Sequence, residues 1–196
     1  MTGPVSAALI VDTGPGPTIT SGFGGLTIGS NQWLAAEFSL GGTTTITGVQ
    51  GWIGIGIPNG NISTGTGTAV IYTDGGDVPG SELFSAAFAT ADSASSWDGA
   101  SGLSWLLNAG TYWVAFEVRS GQTLSDGMPR PSSSPLGNEA FNNSGAYVGF
   151  DSLDIGVRIF GEQPQPPPPQ IPEPASLALL GIGLAGLGAT RRRKIA

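Results

Sequence analysis

An all-β sandwich is the fold class this sequence predicts. Three observations lead there. The 33 glycines and 15 prolines among 196 residues break the chain into short apolar runs, only 11% of residues are charged, and two separate segments alternate with strict period two. In residues 32–40, Leu34, Ala36, Phe38 and Leu40 share one face; in 111–119, Tyr112, Val114, Phe116 and Val118 do so, with Trp113, Ala115 and Glu117 opposite. Such alternation belongs to antiparallel strands that rest one face on a core.

The strands expected in order are 7–11, 32–40, 44–57, 69–73, 82–88, 103–107, 111–119, 146–150 and 154–160. Between the fourth and fifth, Asp74-Gly75-Gly76-Asp77-Val78-Pro79-Gly80 is a turn in which glycine supplies positive φ and the proline sets the exit. Asn108-Ala109-Gly110 turns the chain into the aromatic-rich strand at Tyr112. Thr64-Gly65-Thr66-Gly67-Thr68 reads as a flexible loop, because one short run without a repeat makes no threonine array. Residues 1–160 form the sandwich domain, ample for one core.

Residues 161–174 hold seven prolines and read as a stiff, polyproline-like linker, roughly 40 Å long at full extension. One C-terminal hydrophobic helix is expected at about residues 175–190, which carry no charge and include Leu177, Leu179, Leu180, Ile182, Leu184 and Leu187. Sixteen residues rise roughly 24 Å against a hydrocarbon core of about 30 Å, a marginal span. Arg191, Arg192, Arg193 and Lys194 follow at once and would hold the C-terminal end in the cytoplasm. The Gly181 to Gly186 glycine spacing imitates a dinucleotide fingerprint but lies inside this apolar run with no strand before it.

Composition narrows the chemistry. With neither cysteine nor histidine, the chain has no Ser-His-Asp or Cys-His catalysis, no histidine zinc site and no disulfide. Residues 1–170 carry 13 acidic and three basic side chains, a net of −10, which makes nucleic acid an unsuitable partner. No spacing singles out a carboxylate pair among Glu37, Glu82, Glu117 and Glu139 for glycoside hydrolysis, so the chain reads as a non-enzyme. Of five tryptophans, Trp105 reads as core beside Leu103, Leu106 and Leu107, whereas Trp113 lies opposite an apolar face and is the candidate for stacking on a sugar. Asp74, Asp77, Asp151 and Asp154 flank glycine or turn positions and are calcium candidates, although aspartate in a β-turn ordinarily serves the turn itself; no other cofactor is expected. Residues 1–11 lack the basic and apolar parts of a secretory leader, while Ser6-Ala7-Ala8 looks like the end of one; the expectation is a leader encoded upstream.

The Pro172-Glu173-Pro174 triplet, the Leu/Gly-rich run and the basic cluster occur in that order within residues 171–196, and together they closely resemble the PEP-CTERM sorting signal of Gram-negative bacteria. The resemblance implies export, transient insertion in the inner membrane, recognition by an exosortase, processing near the Pro-Glu-Pro triplet, and release to the outer surface or an exopolysaccharide and biofilm matrix. The segments around Val70 to Gly80, Ala109 to Phe116 and Gln32 to Leu40 are similar to jelly-roll, carbohydrate-binding-module-like domains of choice-of-anchor surface proteins. That second resemblance implies a fold and a cell-surface setting.

Overall fold

The computed structural model describes residues 7–18, 25–54, 65–90, 95–130, 136–143 and 145–163. By its contacts the chain divides into units Met1–Pro164 and Gln165–Ala196, and the described residues all lie in the first. The expected C-terminal helix, Pro172, Glu173, Pro174, the Arg191 to Lys194 cluster and most of the linker lie outside them.

The described residues form strands and turns and no helix. The strands are β1 (Ala8–Asp12), β2 (Gly25–Ile28), β3 (Gln32–Leu40), β4 (Thr44–Gly54), β5 (Thr66–Asp74), β6 (Pro79–Ala89), β7 (Ser95–Leu107), β8 (Gly110–Glu117), β9 (Asp126–Pro129), β10 (Glu139–Asn143), β11 (Tyr147–Gly149) and β12 (Val157–Glu162). One sheet runs β1-β12-β4-β9-β2, with β7 also paired to β4; the other runs β11-β10-β3-β8-β5-β6, and every pairing is antiparallel. Successive strands cross between the sheets from β3 to β4, β4 to β5, β6 to β7 and β7 to β8, consistent with the jelly-roll expectation.

A single apolar layer joins the sheets. Leu34, Ala36, Phe38 and Leu40 of β3 and Val114 and Phe116 of β8 meet Ile46, Val49 and Ile53 of β4, Met128 of β9, and Val157 and Ile159 of β12. The period-two faces read from the sequence are therefore the core faces. At the centre, the Phe116 ring meets Phe88 edge-on with centroids 6.3 Å apart. The β5–β6 turn also forms as expected: Gly76 takes φ +96°, and Pro79 opens β6 opposite Asp74.

Several expectations are corrected. β5 begins at Thr66, so Thr66, Gly67 and Thr68 are strand and not loop; Thr64 lies outside the described residues. The glycine is what permits this, since a Cβ at Gly67 would stand 2.9 Å from Phe88 Cζ and 3.0 Å from Leu124 Cδ2. β7 spans Ser95–Leu107, well beyond 103–107, because main-chain pairing with β4 carries a Ser/Gly-rich stretch of low β-propensity. The register slips between Ile46 and Gly48 of β4, and across from it Gly102 takes φ +68°. β12 runs to Glu162, two residues into the expected linker, while Asp154, expected in that strand, turns at φ +50°. β2, β9 and β10 had no expected counterpart. Trp105 is half-buried, stacked on Phe84 at 5.5 Å, and packs against the core from its border.

Replacing Phe116 by alanine removes a fully buried ring from the centre of this layer. We expect destabilisation of about 3–5 kcal/mol, read as a lowered urea midpoint at unchanged slope.

Candidate functional site

The second face of the β11-β10-β3-β8-β5-β6 sheet is buried where β10, β3, β8 and β5 meet, and there it builds the most structured polar site. Register places Ala140, Ala35, Ala115 and Val70 in one row across four strands. Small side chains there leave a trough, and the rings of Trp113, Tyr72 and Tyr147 pack into it. Trp113, the expected sugar contact, is wholly buried, and its indole N–H donates to Asp74 Oδ1 at 3.2 Å. Alternation did put it opposite the core-facing set, but neighbouring side chains cover it, so it presents no face to a ligand.

Beside the trough stands Glu117, 1% exposed. Its Oε1 accepts the hydroxyls of Tyr72 at 2.5 Å and Tyr147 at 2.8 Å; its Oε2 accepts Arg119 Nε at 2.9 Å. The far side of the same guanidinium forks onto Glu82, with Nη2–Oε2 at 2.7 Å and Nη1–Oε1 at 3.4 Å. Gln122 fixes the adjoining turn: its Oε1 accepts the Arg119 N–H at 2.8 Å, and its Nε2 donates to Thr68 Oγ1 at 2.7 Å. Trp33 donates its indole N–H to Val118 O at 3.1 Å and packs on Tyr147, centroids 6.4 Å apart.

These groups line an open cavity of about 640 Å³, with Trp33, Tyr72, Glu82, Glu117, Arg119 and Gln122 around it. Burial, reinforced by the Glu117 carboxylate, pushes the Tyr72 and Tyr147 hydroxyls far above the ordinary phenol range. Burial alone would lower the Arg119 guanidinium, but its bonds to Glu82 and Glu117 outweigh that and raise it. The guanidinium bond holds Glu82 below the usual carboxylate range. The cavity thus offers one part-exposed indole, an amide, hydroxyls, and two carboxylates sharing one guanidinium. That inventory suits a neutral polyhydroxylated ligand better than an anion.

The calcium candidates are arranged differently from their sequence pairing. Asp74 Oδ1 is taken by the Gly76 N–H at 2.9 Å and by Trp113, so it locks the turn. Asp77 and Asp151 line one cavity of about 330 Å³ together with Glu139. Asp154 donates its backbone N–H to Glu139 Oε2 at 2.6 Å, and Ile155 donates to Oε1 at 3.0 Å, so that carboxylate is spent on the loop. Among the described residues no three acidic side chains are grouped to hold a metal.

Sequence reasoning missed Trp33, Tyr72, Tyr147 and Arg119. The usable signal was the set of alanines at 35, 115 and 140 inside apolar strands, together with the Glu117/Arg119 spacing at i, i+2, which puts both on one face of the chain.

The chain's other functional feature is in its tail, where residues 170–194 match the family model of the PEP-CTERM protein-sorting motif. The tail is a PEP-CTERM sorting motif. It supports exosortase-dependent sorting to the cell surface, and it covers the Pro172-Glu173-Pro174 triplet and Arg191 to Lys194. No curated protein and no solved structure matches the chain.

The two phenols give a pH test. Their neutral forms are favoured in the fold, so their contribution to stability is present below the unfolded value of about 10 and falls away as pH rises above it. Of the three tyrosines, Tyr72 and Tyr147 should develop phenolate absorbance only together with unfolding. A reversible titration of all three near pH 10 with circular dichroism unchanged would contradict this.

Proposed function

We propose that this chain is a non-enzymatic, exported surface or matrix protein whose β-sandwich binds neutral polysaccharide in the Trp33–Arg119 cavity. The single observation that carries the reading is that cavity: an indole beside hydrogen-bonding groups already held in place by their own partners. Preorganised polar groups around an aromatic surface are how a protein holds a sugar without ordering itself at the moment of binding. Binding rather than turnover is supported by Glu117, both of whose oxygens are occupied as acceptors by neighbouring side chains. The tail supports the location: an exosortase processes the chain near Pro172, Glu173 and Pro174 after residues 175–190 have lodged in the inner membrane, and Arg191 to Lys194 hold the topology. The body then reaches an exopolysaccharide or biofilm matrix.

Two measurements test the two halves. Purified protein applied to the producing strain's exopolysaccharide should be retained, and Trp33→Ala should weaken retention at least tenfold with the circular dichroism spectrum unchanged. Equal retention of both proteins would remove the cavity from the account, and no retention of either would leave a structural filler. For the sorting half, replacing Pro172, Glu173 and Pro174 by alanine should leave the unprocessed chain in the inner-membrane fraction. Normal release of that variant would overturn the triplet's role.

A further inference from the structure

Glu82 reaches the cavity through a break in strand alternation. In β6, Phe84, Ala86 and Phe88 turn to the core, and two-residue spacing would send Glu82 the same way. The β5–β6 register shifts instead: Ile71 lies across from Phe84, and the next residue of β5, Tyr72, lies across from Glu82. Leu83 is the extra residue of that bulge and stands exposed. The slip turns Glu82 to the outward face beside Tyr72, where it meets the Arg119 guanidinium.

What Glu82 occupies there is the outer edge of an arginine. Arg119 spends its Nε on Glu117 at 2.9 Å and turns its two terminal nitrogens on Glu82, at 2.7 and 3.4 Å. A guanidinium fork on an open cavity is the group that ordinarily captures a ligand's carboxylate through two parallel bonds. Here the protein's own carboxylate fills it. The two acids differ in what they do for the fold: Glu117 is 1% exposed and its charge must be met, whereas the Glu82 side chain is 40% exposed, in a water-facing pair that adds little to stability. Its larger effect is on the charge of the cavity. Glu82, Glu117 and Arg119 are the charged residues among those lining it, two negative and one positive, for a net of −1. Without Glu82 the lining would be neutral and the fork free; with it, the lining repels anions and offers them no open pair of donors.

We propose that Glu82 sets the selectivity of this cavity, excluding sugars that carry a carboxylate, the uronic acids, and admitting neutral ones. The inference rests on the reading of the cavity as a polysaccharide site and adds the residue that decides which class enters. Specificity of this kind comes from an unfavourable element set against the wrong ligand. It leaves the right ligand unaffected, because a neutral sugar needs neither the fork nor its charge.

The test compares polygalacturonate with its fully methyl-esterified form, which share one backbone and differ in charge, by affinity electrophoresis of the full chain in low salt. Wild type should be retarded by the ester and run freely through the acid. Glu82→Ala should gain about tenfold or more in affinity for the acid, with affinity for the ester within about twofold of wild type. The gain should disappear in high salt and in a Trp33→Ala, Glu82→Ala double variant, which places it in the cavity. Retardation of wild type by the acid as strong as by the ester would overturn the inference, as would a Glu82→Ala chain no better than wild type on the acid. Where neither protein binds the ester while Glu82→Ala gains on the acid, the exclusion by Glu82 stands, and retention on the producing strain's exopolysaccharide alone decides the neutral-sugar reading. Should Glu82→Ala lose its cooperative melt, Glu82→Gln, which removes the charge and keeps an acceptor for Arg119, is measured in its place against the same outcomes.

Discussion

The buried Glu117 carboxylate organises the outward face of its sheet. A charge removed from water must be met in full by donors, and here the donors come from two strands and a turn: Tyr72 from β5, Tyr147 from β11, and Arg119 from the turn after β8. Each donor is constrained in turn. Tyr72 and Tyr147 lie edge to face at 5.9 Å, Arg119 is clamped by Glu82, and Trp33 leans on Tyr147. One ion thus fixes the positions of four side chains that line the cavity. A buried network of this kind specifies one arrangement because any partial version leaves a charge unmet.

The second constraint is spatial. Phenol rings reach Glu117 only because Ala35, Ala115 and Ala140 stand in one row and leave depth above the sheet. Had those positions carried leucine or valine, the rings would have had to stand up into solvent and the carboxylate would have stayed exposed. The middle of the sheet consequently buries both faces, one against its partner sheet and one beneath its own side chains.

How far the chain could be read depended on whether the information ran along a strand or across strands. Leu34 to Leu40 and Tyr112 to Val118 advertise their core face by alternation, and the turn at Asp74 to Pro79 advertises itself by glycine and proline, so the sandwich class, β3, and the paths of β5, β6 and β8 were legible. Asp126 to Pro129 and Glu139 to Asn143 carry no alternation; they are strands because neighbours offer hydrogen bonds, which no local pattern records. Trp113 shows the same limit at the site. Its facing was readable, but its cover comes from residues dozens of positions away and depends on register. The tail stands at the other extreme, because a sorting signal is read by another protein as a linear string, and its three parts lie together in sequence.

The pairing of β12 sets the order of assembly. This strand, the final one of the sandwich, lies between β1 and β4, and its register with each puts Phe160 beside Leu9 and Gly48. Until residues 157–162 take that place, β1 has no neighbour to hydrogen-bond and the β4 edge is open. The sheet is therefore closed by contacts between the two ends of the body, the slowest kind to find because the whole intervening chain must be looped out first. A polymer built this way stays short of its native state while its later part is still being made.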